Sequence, residues 1–110
     1  MAEVARQFHC RLITPEGKLF DEGVDRVTAP ALRGYLGILA GHAGMVAILQ
    51  KGILSIKGGG VERHFAVDSG SLEVTPTHDV IVLTDRAVKG ETEDDARQKL
   101  AEFGGTIIKK

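Results

Sequence analysis

Val61-Glu62-Arg63-His64-Phe65-Ala66-Val67, then the turn formers Asp68-Ser69-Gly70, then Ser71-Leu72-Glu73-Val74-Thr75, is the stretch that decides the fold. Val61, Phe65 and Val67 fall on one face of an extended chain and Glu62, His64 and Asp68 on the other, the period of two that a half-buried strand requires. Leu72 and Val74 against Glu73 and Thr75 repeat that period after the turn. Working outward, the same reading predicts strands over Phe8 to Ile13, Lys18 to Phe20, Val24 to Ala29, Leu36 to Leu39, Met45 to Leu49, Gly52 to Lys57 and Val80 to Thr84. Their separators carry turn chemistry: Pro15-Glu16-Gly17, Gly58-Gly59-Gly60 and Pro76-Thr77-His78-Asp79, where Gly supplies positive φ and Pro presets one dihedral. So many short strands in so short a span must pack face to face or close on themselves. The chain is therefore mainly β, a sandwich or flattened barrel.

The pattern breaks in the last twenty or so residues. Thr92 is placed to cap a helix with an acidic first turn, Glu93-Asp94-Asp95, and an end marked by Gly104-Gly105. Ala96, Leu100 and Phe103 give it one narrow apolar stripe, and Glu93 with Arg97 and Asp95 with Lys99 are i,i+4 pairs. About three turns do not persist alone in water, so this helix must dock. The apolar Thr106-Ile107-Ile108 beyond it reads as an edge strand or a free tail. The expected division is a β-sandwich over 1–90 and a short C-terminal helix and tail over 91–110.

Composition bounds the function. The 110 residues carry 14 Lys+Arg and 15 Asp+Glu, a formal charge of −1. No basic stripe exists to neutralise phosphates, so no nucleic-acid partner is expected. No apolar run reaches the ~18 residues of a membrane span. Met1 to Gln7, with Glu3 and Arg6, lacks the apolar core of a secretory signal. A single cysteine, Cys10, forms no intramolecular bridge, and a chain this long builds a core without disulfides or metal. These features read as a mature protein of a reducing compartment.

Catalytic chemistry finds little support in the residues. His9, Cys10, His42, His64 and His78 show no CxxC, HxxxH or HExxH spacing, so no metal site is expected. Asp68-Ser69-Gly70 lacks the G-x-S-x-G frame of a nucleophile elbow and reads as a turn whose side chains bond their own backbone. Cys10, in an apolar alternating strand, reads as a buried inert thiol. Gly58-Gly59-Gly60 joins two strands instead of opening a helix, so it is no phosphate loop. No catalytic residue and no cofactor are assigned. The unusual segment is Arg33-Gly34-Tyr35-Leu36-Gly37-Ile38-Leu39-Ala40-Gly41-His42-Ala43-Gly44, with four glycines in twelve residues. Arg33 and Tyr35 are its best candidates for contact with another chain, since Arg and Tyr are favoured at interfaces.

At this segment the sequence resembles the epsilon subunit of F-type ATP synthases, called delta in mitochondria. That family reads roughly G-[ED]-x-G-V-L-P-G-H-x-P-L-[LV], matched by Gly34, Gly37, Ile38, Leu39, Gly41, His42, Ala43, Met45 and Val46. Phe65 to Pro76 is similar to the family's F-x-V-S-G-G-x-L-E-V-x-P, Val82 to Ala87 to its V-L-A-D-x-A, and Phe8 to Phe20 to its opening strand and turn. The likeness implies a flattened ten-stranded β-sandwich followed by helix. It also implies a non-catalytic central-stalk subunit that grips gamma and the c-ring beneath the alpha/beta head and couples proton-driven rotation to ATP synthesis. Such a subunit sits peripherally on the cytoplasmic face of a bacterial cell membrane. Carried onto this chain, the ring contact falls on Arg33, Tyr35, Gly41 and His42; the residues meeting gamma stay unassigned.

Three departures bear on that transfer. Tyr35 stands where the family has an acid, with Arg33 where the preceding position is often acidic, so the charge offered to the ring is removed or reversed. Ala40-Gly41-His42-Ala43-Gly44 replaces P-G-H-x-P and loses both prolines. One helix is present where the family usually has two, which predicts little or no inhibition of ATP hydrolysis. The nucleotide motif [IL]-D-x-x-R-A of some bacterial members retains Asp94 and Arg97 here without its apolar ends, and a solvated, paired helix face is expected instead. Two readings from other classes stay open: a free-standing sandwich that binds a small ligand or peptide, and a small hydrolase built on Ser69 and a histidine.

Overall fold

The computed structural model describes residues 6–108, with side chains to 103. Ten strands precede one helix: β1 (Phe8–Thr14), β2 (Gly17–Val24), β3 (Arg26–Ala31), β4 (Gly34–Leu39), β5 (Met45–Leu49), β6 (Gly52–Gly58), β7 (Val61–Val67), β8 (Gly70–Val74), β9 (Val80–Thr84), β10 (Ala87–Gly90) and α1 (Glu93–Ile108). The sheet runs β10-β7-β6-β3-β5-β8-β9-β1-β2, with β4 on the other side of β3. It folds over at β3. Arg26 to Thr28 pair with Lys57 to Ser55 of β6, whereas Ala31 pairs with Leu49 of β5. One layer is thus β10-β7-β6-β3-β4 and the other β5-β8-β9-β1-β2, a ten-stranded sandwich as expected. All pairings are antiparallel except β1 with β9, where Cys10 lies beside Val80 and Leu12 beside Val82.

Between the layers lie Leu12, Val27, Ile38, Leu49, Leu54, Ile56, Leu72, Val80 and Val82, all essentially without solvent contact. Phe20 of β2 meets Phe65 of β7 edge to face at 6.2 Å, tying one layer to the other. Truncating one of the fully buried leucines to Ala removes about 2–5 kcal/mol of stability by the usual cavity cost. Cys10 shares this core, and burial, helped by the nearby Asp21 charge, pushes its thiol up to about 12. It is the inert thiol expected.

A second, smaller apolar cluster lies outside the sandwich. α1 packs across β6, β7 and β10, burying Ile53, Ala66, Ala96 and Phe103. Ala66 lies on the outward parity of β7 yet is fully buried, because the helix covers that parity at this end of the strand. Val61, expected inside, is exposed where β7 emerges from the glycine turn. The Thr92 hydroxyl caps α1 by accepting the Asp95 N–H at 3.1 Å, and Asp95 accepts the Glu91 N–H at 2.8 Å. That backbone bond, then the one from Lys99, lowers the Asp95 pKa. The expected pairs form, Glu93 with Arg97 at 2.5 Å and Asp95 with Lys99 at 3.3 Å.

One strand and one expectation about the helix differ from the local reading. Strand β10, the tenth of the expected sandwich, has no pattern of its own: Ala87-Val88-Lys89-Gly90 is too short to show a period, and it forms because Ala87 to Gly90 register against Val67 to His64. The helix does not stop at Gly104-Gly105 but continues to Ile108, so Thr106, Ile107 and Ile108 are helical, neither edge strand nor free tail. A glycine costs a helix about 1 kcal/mol and does not forbid it.

Candidate functional site

The hairpin of β3 and β4 carries two of the residues singled out above. Ala31 pairs with Gly34, leaving Leu32 and Arg33 as a two-residue tip, and Gly34 takes φ +120°, a conformation that side chains resist. The tip is held firmly. Leu32 N–H donates to the Ile48 carbonyl at 3.0 Å, Gln50 N–H to Pro30 at 2.8 Å and the Gln50 side-chain amide to Ala31 at 3.1 Å. Tyr35 adds a strut. The residue is 59% exposed, but its hydroxyl turns back to accept the Ile53 N–H at 3.1 Å, at the place where β3 leaves β6 for β5. Only glycine fits beneath it: a Cβ on Gly52 would stand 2.5 Å from Pro30 Cβ and 3.1 Å from the Tyr35 hydroxyl.

Arg33 projects from this fixed tip. Arg11, Arg63, Arg86 and Arg97 each reach a carboxylate, whereas among the described residues none pairs with Arg33, nor with Arg6 or Arg26. Beside it a shallow apolar groove runs between the hairpin and β5, lined by Leu32, Tyr35, Leu36, Val46 and Ile48.

Gly41 and His42 do not join this group. They lie past the opposite end of β4, roughly 17 Å from the tip at ~3.3 Å per residue. There the His42 carbonyl accepts from His78 Nδ1 at 3.2 Å, tying the β4–β5 loop to the β8–β9 turn. His78 itself sits at φ +70°, a left-handed conformation held by its N–H to Thr75 at 2.8 Å. The four expected ring-contact residues therefore occupy two ends of the sandwich.

The sequence reading missed a third surface. On β5, Val46 and Ile48 are 67% and 57% exposed, and on β9 Leu83 is 48% exposed. Register places them on one outward face: Val46 lies beside Glu73 and Glu73 beside Ile81, and Ile48 lies beside Ser71 and Ser71 beside Leu83, so β8 puts one polar residue in each row between β5 and β9. The signal was available. Met45-Val46-Ala47-Ile48-Leu49 and Val80-Ile81-Val82-Leu83 are apolar at both parities, the mark of strands covered on both faces. Exposed apolar residues grouped in this way mark contact with another surface.

No catalytic arrangement forms around Ser69. Its N–H donates to Asp68 at 2.9 Å and its carbonyl accepts from Thr84 at 2.9 Å, a self-bonded turn as expected. His64 is bonded to Ser55 at 2.9 Å on β6, and His78 lies beyond the far end of β8. Neither histidine can serve Ser69 as a base. Among the described residues no three His, Cys, Asp or Glu side chains gather as a metal site. In α1, Arg97 is engaged by Glu93, the acid standing at one of the positions where the nucleotide motif is apolar, and Asp94 is exposed. That is the paired, solvated face expected.

Fold and surfaces define a class: a two-layer β-sandwich with a flanking helix and an exposed apolar outer face. The comparisons agree and narrow it. The family model "ATP synthase, Delta/Epsilon chain, beta-sandwich domain" matches residues 7–90, and the chain belongs to that family. It is 46% identical over 88 residues to the ATP synthase epsilon chain of Solibacter usitatus (strain Ellin6076), covering 80% of this chain and 65% of that one. With the ATP synthase epsilon chain of Magnetococcus marinus it shares 40% over 85 residues, 77% of this chain and 61% of that one. The chain thus spans somewhat less than two thirds of those relatives. Among solved structures it superposes with TM-score 0.74 and 27% identity on a chain of the Euglena gracilis mitochondrial ATP synthase (OSCP/F1/c-ring), covering 96% of this chain and 68% of that one. A chain of the Tetrahymena thermophila mitochondrial ATP synthase central stalk and c-ring, at TM-score 0.66 and 19% identity, shares the fold; 74% of this chain and 66% of that one are covered. Among the described residues, no helix is long and apolar enough to cross a membrane.

Proposed function

We propose that this chain is a non-catalytic central-stalk subunit of an F-type ATP synthase, transmitting proton-driven rotation of the c-ring through gamma to the alpha/beta head. The observation that carries this reading is the family match over residues 7–90 on a sandwich that keeps an exposed apolar face and an arginine-tyrosine tip. Torque transfer needs a body that does not deform continuously, and a close-packed two-layer core meets that need. The region 1–90 acts as the gripping unit and 91–110 as an accessory region. The β3–β4 tip, with Arg33 and Tyr35, meets the ring. Gly41 and His42, at the far end, lie outside that contact. The outward face of β5 and β9, with Val46, Ile48 and Leu83, seats gamma. The subunit is held peripherally at the cytoplasmic face of the membrane through these partners.

A pull-down of the tagged chain from its native membranes tests this, with mass spectrometry of the co-purifying proteins. Recovery of gamma with alpha, beta and ring subunits is expected. Recovery of the chain alone, under conditions that keep the synthase intact, would replace the stalk assignment with a free-standing binding module.

A further inference from the structure

Resting on the stalk reading above, we infer that the β3–β4 tip reads a carboxylate on the c-ring loop it meets, with Arg33 as the specificity-determining residue. Arg33 is an exposed cation with no internal ion pair among the described residues. It stands on a tip fixed by the bonds from Leu32 and Gln50 and by the Tyr35 hydroxyl on Ile53 N–H. With the backbone beneath it fixed, engaging the guanidinium costs the ordering of Arg33's own side chain and not of the tip. Its planar fork matches a carboxylate with two parallel hydrogen bonds. The groove beside it, walled by Leu32, Tyr35 and Ile48, is apolar, and partial desolvation there strengthens the pair. At Ile48 the groove continues into the apolar face assigned to gamma, so the two contacts adjoin. An acid is the complement this surface selects; a basic loop opposite Arg33 meets like-charge repulsion.

The test uses the full chain bound to gamma, titrated onto detergent-solubilised c-ring from the same cells at low and high salt. Wild type is expected to bind and to weaken as salt rises. Arg33→Lys keeps the charge but loses the second hydrogen bond, so it binds several-fold more weakly with its salt dependence retained, whereas Arg33→Glu binds at least about tenfold more weakly at low salt and loses or reverses its salt dependence. Arg33 is exposed at a turn, so unchanged melting of both variants is expected alongside. Arg33→Glu binding as tightly as wild type, or more tightly, overturns the carboxylate reading and leaves the stalk assignment standing. Salt-independent binding of wild type overturns it as well. Failure of wild type to bind the ring at all overturns the stalk assignment, and this inference with it.

Discussion

Tyr35 shows how a single residue changes role between sequence and structure. Read along the chain it replaces an acid at a contact position; in the fold its hydroxyl also accepts the Ile53 N–H at 3.1 Å. Tyr35→Phe keeps the exposed ring and removes the acceptor, so a loss of about 1 kcal/mol is expected from urea unfolding, with unchanged m-value. Gly52→Ala should cost more, since its Cβ would lie 2.5 Å from Pro30 Cβ and the strand must shift. Asp21 gives a pH signature at the same scale. Hydrogen bonds from Lys18 and then His9 hold its carboxyl down to about 2. A carboxyl depressed in the folded state stabilises above its unfolded pKa, near ~4, and that contribution is lost as pH falls toward the folded value. Wild type is therefore expected to lose stability between pH ~4 and ~2 more steeply than Asp21→Asn. Parallel slopes for the two in acid denaturation would show that Asp21 has no such role.

At the scale of elements, α1 is the test of what holds a flank in place. Its sixteen residues lie on β6, β7 and β10 through Ala96 and Phe103, and the Arg86 guanidinium sits 4.1 Å from the Phe103 ring centre. The approach is closest at Gly90, where an added Cβ would stand 2.4 Å from Ala96 N. Gly90→Ala should therefore lift the first turn of α1: faster amide exchange over 93–100 is expected, with β1 and β9 unchanged. Equal exchange in both regions would mean that the helix and strand adjust together. The helix cap, the i,i+4 pairs and the apolar stripe were legible in the sequence because they are local. So were the long strands, since Val61 to Val67 and Leu72 to Val74 carry the period of two. β10 was not, because four residues hold no period and only pairing with β7 defines them. Nor was the full separation of Arg33 from His42, since the local pattern marks a strand only over Leu36 to Leu39 and pairing with β3 extends it back to Gly34, beside the tip. The apolar face of β5 and β9 is written in the doubly apolar runs Met45 to Leu49 and Val80 to Leu83, whose second parity a single sandwich core does not require.

For the whole molecule, the two outer faces differ in what covers them. A two-layer sandwich exposes two ends and two outer faces; here α1 covers one face in part, and on the other the apolar residues Val46, Ile48 and Leu83 stand in solvent. Leaving them exposed contributes nothing to the isolated fold, since their side chains point away from the core between the layers. A double substitution, Val46→Lys with Ile48→Lys, should therefore change the isolated chain's unfolding free energy by no more than about 0.5 kcal/mol apiece, the usual cost at exposed sites. Under the proposed gamma seat the same two charges are buried without partners, and affinity for purified gamma is expected to fall at least about tenfold. The two measurements separate the explanations. Lost stability together with lost affinity would make these side chains part of the fold, whereas unchanged affinity would rule this face out as the proposed gamma seat.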